Sequence, residues 1–154
     1  MRIDCHAHVF HGRLTPATDA RYWPAADAPL EHYLAFLDGA GIASGVLVQP
    51  SFLGTDNAYL LRSLATTERL AGVAVVEPDI DLDMLEAMAS LGVRGVRLNM
   101  IGRPATALAA AAPPALLRRI EALGWLVLVQ VDSTELPKAL DVLKDFSGAI
   151  AIDH

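Results

Sequence analysis

One cysteine, Cys5, stands in the whole chain, so no disulfide framework can be drawn. Aromatic residues are scarce at 6%, and cations are few, with 12 Lys+Arg against 18 Asp+Glu. A formal charge of -6 argues against a nucleic-acid surface, because phosphate binding needs clustered Lys and Arg, so no nucleic-acid partner is expected. No stretch approaches roughly 18 uncharged apolar residues, so no spanning helix and no membrane partner are expected. The start, Met1-Arg2-Ile3-Asp4, lacks a basic segment followed by an apolar run, and a cytoplasmic protein with Cys5 reduced is the simplest expectation. What is present is apolar: 53% of 154 residues are hydrophobic, enough for one domain, residues 1–154, with a real core.

The apolar residues fall in an alternating pattern. Six β-branched-rich runs predict strands at Arg2–His6, Gly45–Gln49, Ala71–Val76, Gly95–Asn99, Leu126–Val131 and Ala149–His154. Between them, apolar residues recur at helical spacing: Leu30, Tyr33, Leu34 and Leu37; Leu60, Leu61 and Leu64; Leu82, Leu85 and Met88; Leu116, Leu117, Ile120 and Leu123; Leu136, Leu140 and Leu143. Gly39, Gly41, Gly92, Gly124 and Gly148 sit where these helices should stop. The strand runs lack clean polar alternation, as parallel strands buried on both faces do. The fold class is therefore α/β, either an open doubly wound sheet or a barrel. Two segments depart from the repeat. Val9 to Pro29 is a long connection, a length usually functional or disordered. Arg103–Pro114, rich in Ala and Pro, reads as a loop, with Pro113-Pro114 opening the next helix.

In parallel α/β folds ligands sit at the carboxyl ends of strands. The first run closes Asp4-Cys5-His6-Ala7-His8, and alternation puts Asp4, His6 and His8 on one face. His6 and His8 could ligate one metal or donate to one anionic substrate; two exposed loop histidines are the plainer alternative. After the second run comes Gln49-Pro50-Ser51, then Gly54-Thr55-Asp56-Asn57 before a helix. Asp56 or Thr55 suits the N-cap, Asp56 preferred, and Ser51 and Asn57 could offer donors to a carboxylate near that N-terminus. In Arg94-Gly95-Val96-Arg97-Leu98-Asn99, Arg97 and Asn99 share a face. A guanidinium in a buried strand must be paired: either Arg97 and Arg103 clamp a dianionic ligand, or Arg97 meets an Asp or Glu of a neighbouring strand. Arg94 reads as a solvated or helix-facing charge. Gln130 and Asp132 end the fifth run and Asp153-His154 the sixth. His11 and His32 read as ordinary surface histidines, and Trp125 and Phe146 as core. Tyr22-Trp23 is either a lid or the long loop's own apolar cluster.

Taken in order, Asp4-Cys5-His6-Ala7-His8, Val48-Gln49-Pro50-Ser51 with Gly54-Thr55-Asp56-Asn57, Gly92-Val93-Arg94-Gly95-Val96-Arg97-Leu98-Asn99 and Ile152-Asp153-His154 resemble the amidohydrolase superfamily. The branch is the amidohydrolase-related (type 2) one, and within it the 2-pyrone-4,6-dicarboxylate lactonase group with its sugar-lactone-hydrolysing relatives. The resemblance implies a (β/α)8 TIM-barrel fold. Such barrels take about 250 residues, so the chain should hold the first six strands, as the N-terminal part of a longer protein, with the family's strand-eight aspartate outside it. The resemblance further implies that His6, His8 and His154 surround a lactone carbonyl. Arg97 and Arg103 would hold substrate carboxylates, Ser51, Thr55, Asn57 and Gln130 would add contacts, and Tyr22 would close over the ring. The expected reaction is attack of an activated water on a small anionic lactone. Metal-dependent relatives take a further histidine from the end of strand five, but Leu128-Val129-Gln130-Val131-Asp132 has none. The expectation is therefore no required cofactor, with one divalent metal such as zinc on His6 and His8 left open. Gln130 stands where the pyrone enzymes carry a tyrosine, which points to a different lactone. The alternatives are a zinc-dependent decarboxylase or hydratase of the same branch, and a truncated barrel that only binds anions. A homo-oligomer stays open.

Overall fold

The computed structural model describes residues 1–154, which divide into two compact units. The first comprises Met1–Val75 with Ser90–Val93; the second comprises Val76–Ala89 with Arg94–His154.

The first unit carries strands β1 (Ile3–Ala7), β2 (Ser44–Val48) and β3 (Leu70–Ala74), with helices α1 (Leu30–Gly39) and α2 (Ala58–Leu64) between them. The strands are parallel and neighbour one another in chain order. β2 pairs with β3 in unbroken register from Gly45↔Leu70 to Val48↔Val73. The β1–β2 register shifts between Asp4 and Ala7, so β1 carries a bulge just before the histidines. Helix α1 ends in a Schellman motif on Gly41 at φ 62: Gly41 N–H donates to Asp38 O and Ile42 N–H to Leu37 O. Tyr33, on α1, donates to Asp4 Oδ2 at 2.9 Å. Its hydroxyl passes so close to Gly45 that an added Cβ would stand 2.1 Å from it. Gly45 is therefore fixed by packing rather than by backbone conformation.

The connection from Val9 to Pro29 is ordered. Phe10 and Ala28 form an antiparallel bridge, Gly12 N–H donates to Asp27 Oδ1, and Ala17 N–H donates to Phe52 O. Tyr22 and Trp23 pack edge-on against Phe52, which also meets Phe10. The pair thus belongs to an apolar cluster of the loop, with Tyr22 half exposed.

The second unit carries helix α3 (Leu82–Ser90), strand β4 (Val93–Asn99), helices α4 (Leu108–Ala111) and α5 (Pro114–Ala122), strand β5 (Leu126–Gln130), helix α6 (Leu136–Val142) and strand β6 (Ile150–Asp153); Ser90 and Val93 count with the first unit. β4, β5 and β6 are parallel neighbours in register. Val96, Val127 and Val129 are wholly buried, as are Leu108, Leu116 and Ile120 of the helices, the pattern of strands covered on both faces. Trp125 and Phe146 are core residues as expected. Arg94 is exposed and donates to Ala89 O at the end of α3. Gly124, at φ 65, ends α5 with the same pair of Schellman bonds that ends α1.

Two expectations are corrected. Arg103–Pro114 is not a plain loop: it holds a 3-10 turn at Ala105–Ala107 and the short helix α4. Alanine's helix propensity prevails over the flanking prolines there. The N-cap of α2 is Asn57 rather than Asp56, and Asp56 Oδ1 instead accepts from Ala58 N–H. No helix is long and apolar enough to cross a membrane.

Candidate functional site

The residues singled out at strand ends fall into two groups, one in each unit. In the first, His6 and His8 flank Ala7 at the end of β1. Their Nε2 atoms lie 3.4 Å apart and their rings meet edge to face, with centroids 4.9 Å apart. His8 Nδ1 is 2.7 Å from the Val48 carbonyl oxygen, to which it donates. That bond fixes the neutral tautomer and leaves Nε2 as the basic nitrogen aimed at His6. Two imidazole Nε2 atoms at this separation can share a proton or turn together on one electron-rich ligand atom.

Asp4 does not join them. Its Oδ2 accepts from Tyr33 and its Oδ1 from His6 N–H at 3.4 Å. The bulge breaks the alternation that would have aligned Asp4 with both histidines. Burial, and then the bond to the Asp4 carboxylate, push the Tyr33 hydroxyl far above its ordinary pKa.

Behind the histidines the β2–α2 connection is braced by side-chain amides. Gln49, 1% exposed, donates from Nε2 to Gly54 O and Asp56 O. Asn57, 8% exposed, donates to Thr55 O and Val75 O and accepts from Val75 N–H. Its amide is spent on backbone at both ends, which makes it a brace of this loop rather than a donor to a ligand. Thr55 is exposed, and Ser51 is half buried at the start of the 3-10 turn Ser51–Leu53.

In the second unit Arg97 meets Asp153 across β5. Arg97 Nε donates to Asp153 Oδ2 at 2.8 Å, Nη2 donates to the same oxygen, and both side chains are 2% exposed. The guanidinium thus takes the neighbouring-strand partner that was one of its two expected roles. The other carboxylate oxygen, Oδ1, lies 3.2 Å from His154 Nε2. Asp153 therefore both neutralises Arg97 and orients the His154 ring. Asn99, Gln130 and Asp153 are successive register partners across β4, β5 and β6, so they form one polar row at the strands' carboxyl ends.

Arg103 is exposed, in a loop held by two carboxylates from the β5–α6 connection. Gly102 N–H donates to Asp132 Oδ2 and Ala105 N–H to Glu135 Oε2, each at 3.0 Å. The bond from Ala105, and then the one from Lys138, hold the Glu135 carboxyl below its ordinary pKa. Gln49 and Glu135 were not singled out as functional. Their only sequence signal is position: Gln49 closes an apolar strand, and Glu135 stands just before α6.

With this geometry in hand, comparison with known proteins defines the class. The Acinetobacter baumannii structure of a probable 2-pyrone-4,6-dicarboxylic acid hydrolase, with citric acid bound, superposes with a TM-score of 0.93 at 36% identity, covering 99% of this chain and 58% of that one. A Pseudomonas putida structure given the same provisional name superposes with a TM-score of 0.88 at 47% identity, covering 99% of this chain and 56% of that one. The fold is thus of the (β/α)8 TIM-barrel type, represented here by six parallel strands.

The model of the amidohydrolase family matches residues 3–154, and the chain belongs to that family. The Comamonas testosteroni 2-pyrone-4,6-dicarboxylate hydrolase is 30% identical over 154 residues, 99% of this chain and 50% of that protein. A 4-sulfomuconolactone hydrolase of Hydrogenophaga intermedia is 35% identical over 97 residues, 61% of this chain and 32% of that protein. The chain spans half the length of the first of these relatives and a third of the second.

Proposed function

We propose that this chain forms part of a hydrolase that opens a lactone by attack of an activated water, as the names of its relatives suggest. The observation that carries the reading is the paired Nε2 atoms of His6 and His8 at the end of β1, one of them locked in its tautomer by Val48 O.

In this reading His6, His8 and His154 polarise the lactone carbonyl and stabilise the oxyanion that forms on it. Asp153, itself charge-balanced by Arg97, holds the His154 ring in place. Water is deprotonated by the family's strand-eight aspartate. The acyl–oxygen bond breaks, the ring oxygen takes up a proton, and a hydroxy- or keto-acid leaves. Arg103, which is exposed, holds a substrate carboxylate in this reading. Arg97 adds positive charge from behind Asp153 rather than as a free fork. Ser51, Thr55 and Gln130 supply polar contacts, while Tyr22 stays with the loop's apolar cluster on Phe52. Asn57 acts through the loop it braces.

His6 and His8 supply two nitrogen ligands, whereas a catalytic zinc ordinarily takes three protein ligands and a water. The pair supplies two of those three ligands, and no step above runs through a metal. The decarboxylase or hydratase reading needs zinc in stoichiometric amount, and elemental analysis of the active protein separates it from the lactonase reading.

The test is proton release from 2-pyrone-4,6-dicarboxylate and from sugar lactones, with the full natural polypeptide as catalyst. Turnover of either class supports the reading. Turnover of neither, by a protein shown to be folded, rejects it.

A further inference from the structure

Strand β1 takes three steps where β2 takes two: Asp4 is paired with Gly45, and Ala7 with Leu47. The extra residue falls in the Cys5–His6 step between them. A bulge of this kind bends its strand and re-aims the side chains it carries. It therefore governs where the His6 ring points. The His8 ring is fixed directly, by the Val48 carbonyl. His6 is reached from behind, through its backbone, since its N–H donates to Asp4 Oδ1 at 3.4 Å within the bulge.

The second oxygen of that carboxylate is held from outside the sheet. Tyr33, on helix α1, donates to Asp4 Oδ2 at 2.9 Å. Its hydroxyl arrives beside Gly45, the register partner of Asp4, at a point with no room for a Cβ. The side chain missing from β2 is thus the gap that the hydroxyl fills. One carboxylate, bonded on one oxygen to the bulge and on the other to α1, ties the packing of the helix to the course of β1.

We propose that Asp4 and Tyr33 are positioning residues for His6: the hydroxyl–carboxylate pair, seated in the gap at Gly45, fixes the bulge that turns His6 Nε2 towards His8 Nε2. Both act through His6 rather than on a substrate. The consequence for rate rests on the hydrolase reading above; the consequence for the His6 ring does not. Removing the pair lets the two imidazoles drift apart, and a misplacement of about 1 Å costs a reaction about a hundredfold.

The test uses the full natural polypeptide, with 2-pyrone-4,6-dicarboxylate and D-glucono-1,5-lactone as substrates and nitrogen-labelled histidine for NMR. Asp4→Ala should lower kcat by about ten- to a hundredfold, with KM little changed. Tyr33→Phe keeps the ring and loses the hydroxyl, and should lower kcat in the same way by less. Asp4→Asn keeps an oxygen to accept from His6 N–H, and should recover most of the rate lost in Asp4→Ala. The His6 ring-nitrogen signals should move in Asp4→Ala and in Tyr33→Phe, while His8 keeps the tautomer fixed by Val48 O. The Tyr33→Phe arm stands even if Asp4→Ala fails to fold. If the wild-type protein turns over neither lactone but the His6 signals move as stated, the hydrolase reading fails and the positioning role stands. If both variants melt lower than wild type with kcat and the His6 signals unchanged, the pair is only structural and the proposal is overturned. An Asp4→Asn enzyme as slow as Asp4→Ala would overturn it too, because the acceptor for His6 N–H would then not be what sets the rate.

Discussion

Arg97 and Asp153 pair across the intervening strand β5, each side chain 2% exposed, and Asp153 Oδ1 faces His154 Nε2 at 3.2 Å. A guanidinium buried in a strand is costly unless matched, and Asp153 is the match. The arrangement couples stability to placement of an imidazole at the strand ends. Arg97→Met should destabilise the fold by about 3–5 kcal/mol, because it strands a buried carboxylate. The double variant Arg97→Met/Asp153→Leu should recover most of that loss. Urea unfolding of the two single variants and the double gives the coupling directly.

The β2–α2 connection depends on two amides. Gln49→Leu leaves Gly54 O and Asp56 O without their donor, and Asn57→Leu does the same to Thr55 O and Val75 O. Each should cost about 1–3 kcal/mol, from two hydrogen bonds to part-buried carbonyls at about 0.5–1.5 kcal/mol apiece. Since both brace one loop, the combined loss should fall short of the sum. Denaturant midpoints of the three variants measure it.

Gly45 and Tyr33 are coupled by contact. Gly45→Ala drives a methyl into the Tyr33 hydroxyl, which then loses its bond to Asp4. The loss in melting temperature should be large in the natural background and much smaller in Tyr33→Leu, where the obstructing ring is absent. Equal losses in both backgrounds would contradict the contact.

Glu135 gives a pH dependence of known sign. Its carboxyl is held below the ordinary carboxylate pKa by Ala105 N–H and then Lys138. The bond is therefore fully present above the unfolded value, about 4.3 for glutamate, and is lost as pH falls through the lower folded value. Corrected hydrogen-exchange protection at the Ala105 amide should drop across that window. In Glu135→Gln the drop should disappear.

Most of the architecture was legible in the sequence because buried parallel strands and amphipathic helices leave period and composition behind them. Val96, Val127 and Val129 read as core from their runs alone, and Gly41, Gly92 and Gly124 marked helix ends that prove to need positive φ. The bulge in β1 was not legible, since one extra residue in a pairing leaves no compositional trace, and with it went the expected alignment of Asp4 with the histidines. Arg97 was recognised as needing a partner. That the partner is Asp153, 56 residues away, follows from strand order and register, which periodicity does not encode. Asn57 looked like a ligand donor because a polar residue before a helix is ambiguous. Only its two backbone partners show that its amide is already spent.

The histidine pair bears the most weight, and His8→Asn probes it cleanly. The shorter amide can keep a donor near Val48 O while removing the Nε2 that faces His6. With the full natural polypeptide and a lactone it turns over, the predicted result is a fall in kcat of about 10²–10⁴ with the melting temperature near that of wild type. A His8→Asn protein that hydrolyses the lactone at the wild-type rate would contradict the account.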